Sequence, residues 1–311
     1  MTLSDPDEGE TAAHLRRIAA LAKIPAEAVA LPRHHHVILD QRRFHYVEWG
    51  KSGSPPILFL HGGNQSARTW DVVCLALAPR FHCIALDQRG HGLSEWSYEF
   101  DYSPEASARD VEHLIDHLGW GSFVLVGMSM GCLNGMSYAA AHADRLAGFV
   151  AVDAGPYIER AGGSEIIDFV QANRNHTSLD DFIAAAVKFN PRRNPEFLRH
   201  SLRHTVRQMA DGTFAWKSDR RQPFKLEAMF AWIENSRTLL PSITCPTLVV
   251  RGGESKILSN EGAARFAREL PDGRLVVVPE AGHTVQGDNP AGLIAALKDF
   301  LATLPAYGVT P

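Results

Sequence analysis

No stretch of this sequence approaches the roughly 18 consecutive apolar residues that a helix needs to cross a bilayer, and no internal repeat or low-complexity tract is present. Cysteine is scarce: Cys74, Cys83, Cys132 and Cys245 stand in apolar surroundings with neither metal-ligand nor disulfide spacing. They read as structural thiols of a reducing compartment. The opening MTLSDPDEGE is acidic and lacks an apolar h-region, so no secretory signal is expected and a cytoplasmic location is. Charge of one sign is missing too. A net charge of −4 gives no reason to expect nucleic acid or an anionic membrane as partner. Gly-rich phosphate loops are lacking, since GMSMG is neither G-x-G-x-x-G nor a Walker sequence, and no cofactor is expected. What remains is the composition of a soluble globular enzyme, in a chain of 311 residues that can bury a full core.

What is present alternates. ETAAHLRRIAALAKIP carries apolar residues at helical spacing, so residues 1–30 are expected to form a helical extension that docks on the core or serves a partner subunit, a homodimer included. HHHVILDQRRFHYVEWG reads as an antiparallel hairpin turning at DQRR. After it, six apolar segments alternate with helical patterns: PPILFLHGG, FHCIALDQRG, SFVLVGMSMG, LAGFVAVDAGP, PTLVVRGGE and RLVVVPEAGH. Near-continuous apolar strands, each followed by a helix, predict an α/β fold with a mostly parallel sheet covered on both faces. Loops that carry chemistry gather at the strand C-terminal ends of such sheets. Between VAVDAGP and CPTLVV the rhythm changes to helical patterns without a buried strand. Residues 157–241 are therefore expected to be a helical cap between two core portions, 31–156 and 242–311.

Three short stretches carry the chemistry. GMSMG, Gly127 to Gly131, sits between the strand SFVLV and a helical segment, the context of a G-x-S-x-G nucleophile elbow centred on Ser129. HGGN, His61 to Asn64, follows an earlier strand and offers backbone N–H groups at the same sheet edge. Acyl transfer needs two such donors aimed at the developing oxyanion, and the expected pair is the amides of Gly63 and Met130. Asn64 is a candidate for a further side-chain donor. AGH, ending at His283, follows RLVVV near the C-terminus, where an imidazole can reach Ser129 as general base.

With HGGN, DQRGHGLS (Asp87 to Ser94), GMSMG and AGH in place, the chain resembles the α/β-hydrolase superfamily across residues 37 to 300. The resemblance implies a serine hydrolase with a catalytic triad and an inserted cap; it says little about substrate. It implies a scaffold role for DQRGHGLS, whose arginine and histidine brace loops. It also raises a problem. In much of the superfamily a GxxD-like loop after the penultimate core strand carries the acid, and in RGGESKILS that place holds Lys256. A lysine ammonium cannot accept the imidazole N–H and disfavours an imidazolium. Asp153 ends the strand GFVAV, 24 residues after the nucleophile, a placement similar to that in haloalkane dehalogenases and zearalenone-type lactone hydrolases. Asp153 is the favoured acid, Glu254 the alternative, and a dyad without an acid the third possibility.

Other features have plainer readings. Adjacent residues of HHH (His34 to His36) point to opposite faces of a strand, so no metal site is expected there or elsewhere. SLDD before FIAAAVKF reads as a helix start, and RHSLRHTVRQ as the solvated face of a cap helix. The cap is rich in aromatics, of which Trp216, Phe230 and Trp232 are the candidates to line a pocket for a large apolar substrate. The expected activity is hydrolysis of a hydrophobic ester or lactone, a zearalenone-like macrolactone first. The alternatives are a carbon–carbon bond hydrolase acting on ring-cleavage products, and a receptor-like binding protein with little turnover.

Overall fold

The computed structural model describes residues 8–24, 29, 31–219, 221, 226–305 and 307. Helix α1 (Glu8–Leu21) buries Leu15, Ile18 and Ala19 against the core, so the N-terminal helix docks on its own chain. Strands β1 (Arg33–Leu39) and β2 (Arg42–Trp49) form the hairpin. Its turn residues, Asp40 and Gln41, both take positive φ (44° and 61°), the two-residue turn whose twist matches the flanking strands. The chain then runs β3 (Pro56–Leu60), α2 (Asp71–Leu77), β4 (His82–Asp87), α3 (Pro104–Leu118), β5 (Phe123–Met128), α4 (Met130–Ala141) and β6 (Leu146–Val152).

The segment between the core halves holds α5 (Arg160–Ala172), β7 (Asn175–His176), α6 (Leu179–Phe189), α7 (Pro195–Thr205), β8 (Val206–Gln208), β9 (Phe214–Trp216) and α8 (Leu226–Asn235). It is mainly helical, but β7, β9 and β8 form a small antiparallel sheet that the sequence pattern does not announce. Strands of two or three residues are too short to show alternation. Ser178 caps α6 by accepting from the Asp181 amide, as SLDD suggests. The core resumes with β10 (Thr247–Gly252), α9 (Asn260–Glu269), β11 (Gly273–Val278), α10 (Val285–Asp288) and α11 (Pro290–Ala302).

The eight core strands are ordered β1-β2-β4-β3-β5-β6-β10-β11; β2 is antiparallel to both neighbours and every later pairing is parallel. The two-residue side-chain period splits each central strand between two cores. Ile57 and Phe59 of β3 and Val124 and Val126 of β5 pack with Leu15 of α1, Val73 of α2 and Leu297 of α11. Leu58, Leu60, Phe123 and Leu125 face the other way, towards Val111 of α3, Met136 of α4 and Phe266 of α9. Burial on both faces is why these strands read as unbroken apolar runs. The cap has a core of its own, built on Phe182, Ile183, Leu198, Leu202, Val206 and Trp216. Among the described residues, no helix is long and apolar enough to cross a membrane.

Candidate active site

Ser129 stands between the end of β5 and the start of α4 with φ 53° and ψ −118°, a conformation costly for a residue with a side chain. Its neighbours make the turn possible. A Cβ on Gly127 would lie 2.2 Å from the Gly131 carbonyl oxygen, and one on Gly131 would lie 2.4 Å from that of Leu60. Only glycines allow helix, turn and adjacent strand to crowd together here. The result is a serine that is partly exposed at the top of a buried strand.

Two further loops converge on it. His283, beyond the end of β11, places Nε2 3.0 Å from Ser129 Oγ. Its Nδ1 lies 2.8 Å from Oδ2 of Asp153, the residue after β6. A carboxylate only accepts, so Nδ1 carries the proton and Nε2 is left to accept from the serine hydroxyl. Asp153 is fully buried and also takes a positive φ, 49°, anchored by its amide to the Val250 carbonyl. Ser129, His283 and Asp153 thus arrive from three strand ends into one hydrogen-bonded line.

Glu254 does not join them. Its carboxylate pairs with Arg192 of the cap at 2.5 Å, and Lys256 points outward to Glu165. The loop after β10 nevertheless reaches the acid. The Gly252 amide donates to Asp153 Oδ1 at 2.8 Å, and the Ser255 hydroxyl donates to Oδ2 at 2.5 Å. Arg251 folds its buried guanidinium into the same loop, donating to the carbonyls of Leu258, Gly253 and Ser255. Sequence reasoning singles out none of these three. A serine and an arginine inside a loop carry no local signal until the acid they serve is located.

The HGG loop lies directly against the elbow: a Cβ on Gly62 would be 2.7 Å from the Met128 sulfur and 3.3 Å from Ser129 Cβ. Gly63 is exposed beside it, and the Met130 amide opens α4, where first-turn N–H groups have no intrahelical acceptor. Behind this loop, His61 accepts from the Gln88 amide at Nε2 and donates from Nδ1 to the Gly62 carbonyl. That requires a neutral ring. Burial, then the neighbouring His91, lowers its pKa to about 4. Gln88 continues the brace, donating to the His61 carbonyl and accepting from Asn134 of α4.

The rest of DQRGHGLS is scaffold. Burial would raise the Asp87 pKa, but the bond to His45, the charge of that imidazole and the Ala67 amide together hold it well below the carboxylate range. Arg89 makes a two-pronged bond to Asp110 of α3.

The residues offered as pocket lining are otherwise engaged. Trp216 lies in the cap core, edge-on to Phe182, with its indole N–H on the Asn173 carbonyl. Phe230 is buried under the Arg160 guanidinium. Trp232 donates to Glu105, tying α8 to α3. The Asn64 carboxamide oxygen accepts from Ser218 of the cap at 2.6 Å, so that loop is fastened to the cap. These contacts tie the cap to itself and to the core. A further tie runs from the cap to the histidine loop. Asp288, with no exposed side chain, accepts from the Gly282 amide and from Asn190, with Arg193 3.5 Å away.

Comparison with known proteins agrees with this fold. A sequence model described as alpha/beta hydrolase fold matches residues 55–290. The chain is 30% identical over 264 residues to esterase Rv0045c of Mycobacterium tuberculosis, spanning 83% of this chain and 86% of that one. The solved structure of that esterase superposes with a TM-score of 0.78 at 27% identity, over 96% of this chain and 100% of the other. Identity to 2-(acetamidomethylene)succinate hydrolase of Mesorhizobium japonicum is 33% over 257 residues, 81% of this chain and 89% of that protein.

Proposed function

The chain belongs to the α/β-hydrolase fold family and is a hydrolase, and from that premise we propose that it cleaves carboxylic esters through an acyl-enzyme on Ser129. The observation that carries this reading is the line Asp153–His283–Ser129, with contacts of 2.8 and 3.0 Å. Ser129 Oγ attacks the ester carbonyl while His283 Nε2 takes its proton, then hands it to the departing alkoxide. Asp153 holds the Nδ1–H tautomer and stabilises the imidazolium. The amides of Gly63 and Met130 receive the oxyanion. Water, deprotonated by the same imidazole, releases the acid and restores the serine.

A second reading uses the same residues on an N-acyl bond. It is favoured by the 33% identity to a relative named as the hydrolase of 2-(acetamidomethylene)succinate. The macrolactone expectation rested on the acid placement shared with zearalenone-type lactone hydrolases; it is not carried forward, since the relatives described above are named for an esterase and for a 2-(acetamidomethylene)succinate hydrolase. A fluorophosphonate probe separates the hydrolase from a receptor-like protein: it labels the wild type at Ser129 and leaves Ser129→Ala unlabelled. An unlabelled wild type overturns the proposal. A panel of p-nitrophenyl esters, N-acyl enamines and vinylogous diketones then ranks ester, C–N and carbon–carbon cleavage by kcat/KM. Ester turnover is expected to lead.

A further inference from the structure

The run RHSLRHTVRQ, expected to be a solvated helix face, buries one of its histidines instead. His200 of α7 is only 3% exposed and His204, one turn later, is half-buried. Histidines four residues apart share one helix face, and across the cap–core seam that face meets Asp71 at the start of α2, itself 1% exposed. We propose that His200, His204 and Asp71 form a binding site for a divalent transition-metal ion, distinct from the catalytic centre, that fastens the cap to the core.

The geometry carries this. One ligand atom from each residue lies within 4.8 Å of the other two, and this is the sole such group of three among the described residues. Two imidazole nitrogens and one carboxylate oxygen are the donor set of zinc-type ions, which bind at about 2.0 to 2.2 Å and leave a fourth position to water. Ligand atoms around a tetrahedral ion at such bond lengths stand about 3.4 Å apart, so His200 Nε2 and Asp71 Oδ2, now 2.8 Å apart, must part slightly while the half-buried His204, within 4.8 Å of both, closes in. Asp71 is incompletely used as it stands. Oδ2 meets Arg68 at 2.5 Å and His200 Nε2 at 2.8 Å, while Oδ1 is buried without a hydrogen-bond partner. A second shell is in place as well: His200 Nδ1 lies 3.0 Å from Nε2 of His14 on α1, which orients the ring so that Nε2 faces the ion.

Arg68 is the cost of the site, a fixed positive charge beside the ion. It limits affinity to a range where the ion is reversibly held.

The site joins three elements, and its neighbours lead towards the active centre. Thr69, in the turn before α2, accepts from Gln286 of α10, which also donates to Gln65 in the loop that supports Gly62. An ion here tightens the seam beside the histidine loop.

The test is calorimetric titration of the full chain with Zn²⁺, paired with the visible spectrum after Co²⁺ addition and with thermal melting. The expected result is one ion per chain, a tetrahedral Co²⁺ band and a rise in melting temperature. His204→Ala should weaken binding by about tenfold or more while barely moving the metal-free melting point. Asp71→Asn, which keeps the volume, should do the same to affinity. No saturable binding at millimolar Zn²⁺ overturns the proposal. So does undiminished binding by His204→Ala, with loss instead in His283→Ala (an ion on the catalytic imidazole) or in His34→Ala (an ion on the first strand). Every readout is independent of ester turnover, so the result stands apart from the proposed activity.

Discussion

The Ser255 hydroxyl and the His283 Nδ1–H both donate to one atom, Oδ2 of Asp153. The loop after β10, which lacks an acid of its own, therefore holds the acid supplied by the neighbouring strand. With the Gly252 amide on Oδ1, the buried carboxylate has three donors and no need of bulk water.

The acid assignment has a direct consequence. Asp153→Asn is expected to lower kcat for p-nitrophenyl ester hydrolysis about 10⁴-fold, because the amide favours the wrong histidine tautomer. Glu254→Gln, which disturbs only a half-exposed pair with Arg192, should leave kcat within about threefold of wild type. The opposite ranking would reassign the acid.

Ser255 is expected to act through Asp153 and not on substrate. Ser255→Ala should reduce kcat by about tenfold with KM nearly unchanged, and cost roughly 1 to 3 kcal/mol by leaving a buried carboxylate short of a donor. Ser255→Thr, which keeps the hydroxyl, should recover most of the loss. A change confined to KM would place Ser255 against substrate instead.

Restoring the family's more common arrangement should fail. In Asp153→Asn combined with Lys256→Asp, the new carboxylate starts from a side chain that is 75% exposed and directed at Glu165. Arg251 fixes the loop that would have to turn it inward. Activity of the double variant is expected to stay at the level of Asp153→Asn, as kcat will show.

Stability should fall with acid in two windows. His61 has its folded pKa lowered from 6.5 to about 4, so between those values the unfolded chain binds the extra proton and stability rises with pH. That contribution, roughly 3 kcal/mol, is complete above pH 6.5 and disappears as pH falls to 4. His14, also lowered to about 4, chiefly by burial, acts in the same direction. Glu48 behaves as a carboxylate. Burial would raise it, but Arg33 and His82 bring it to about 2, so its share is lost between 4.5 and 2. Melting temperature measured against pH should therefore start to drop near 6.5, well above the carboxylate range. A flat profile down to pH 5 would contradict the neutral, buried His61.

Trp216→Ala should affect the cap and spare the triad. Removing a large side chain from a small core costs about 3 to 5 kcal/mol, and the cap core is separate from the two that flank the sheet. Hydrogen exchange should show α6 and α7 opening early. KM should rise more than kcat falls.

Much of this architecture was legible in the chain. Five of the six apolar segments are core strands buried on both faces, which leaves an unmistakable pattern; the sixth is β11, the sheet edge, where Leu275 and Val277 are exposed, and GMSMG was readable because only glycine fits beside Ser129. The cap was harder. Trp216, Phe230 and Trp232 look alike in sequence, yet one fills the cap core, one stacks under Arg160 and one grips Glu105. Each of those fates depends on a partner distant along the chain. RHSLRHTVRQ misleads for a related reason. Its charge pattern says solvent, but the burial of His200 is decided by Asp71, 129 residues away.

The bond network at Asp288 bears on how this protein could be re-engineered. Asn190 and Arg193 of the cap share that carboxylate with the Gly282 amide, adjacent to the catalytic histidine. A cap grafted from a relative would take away two of the three groups that meet Asp288 beside the catalytic base. Chimeras that exchange residues 157–241 alone should fold yet misalign His283, and transplantation will require positions 190, 193, 282 and 288 to travel as a set.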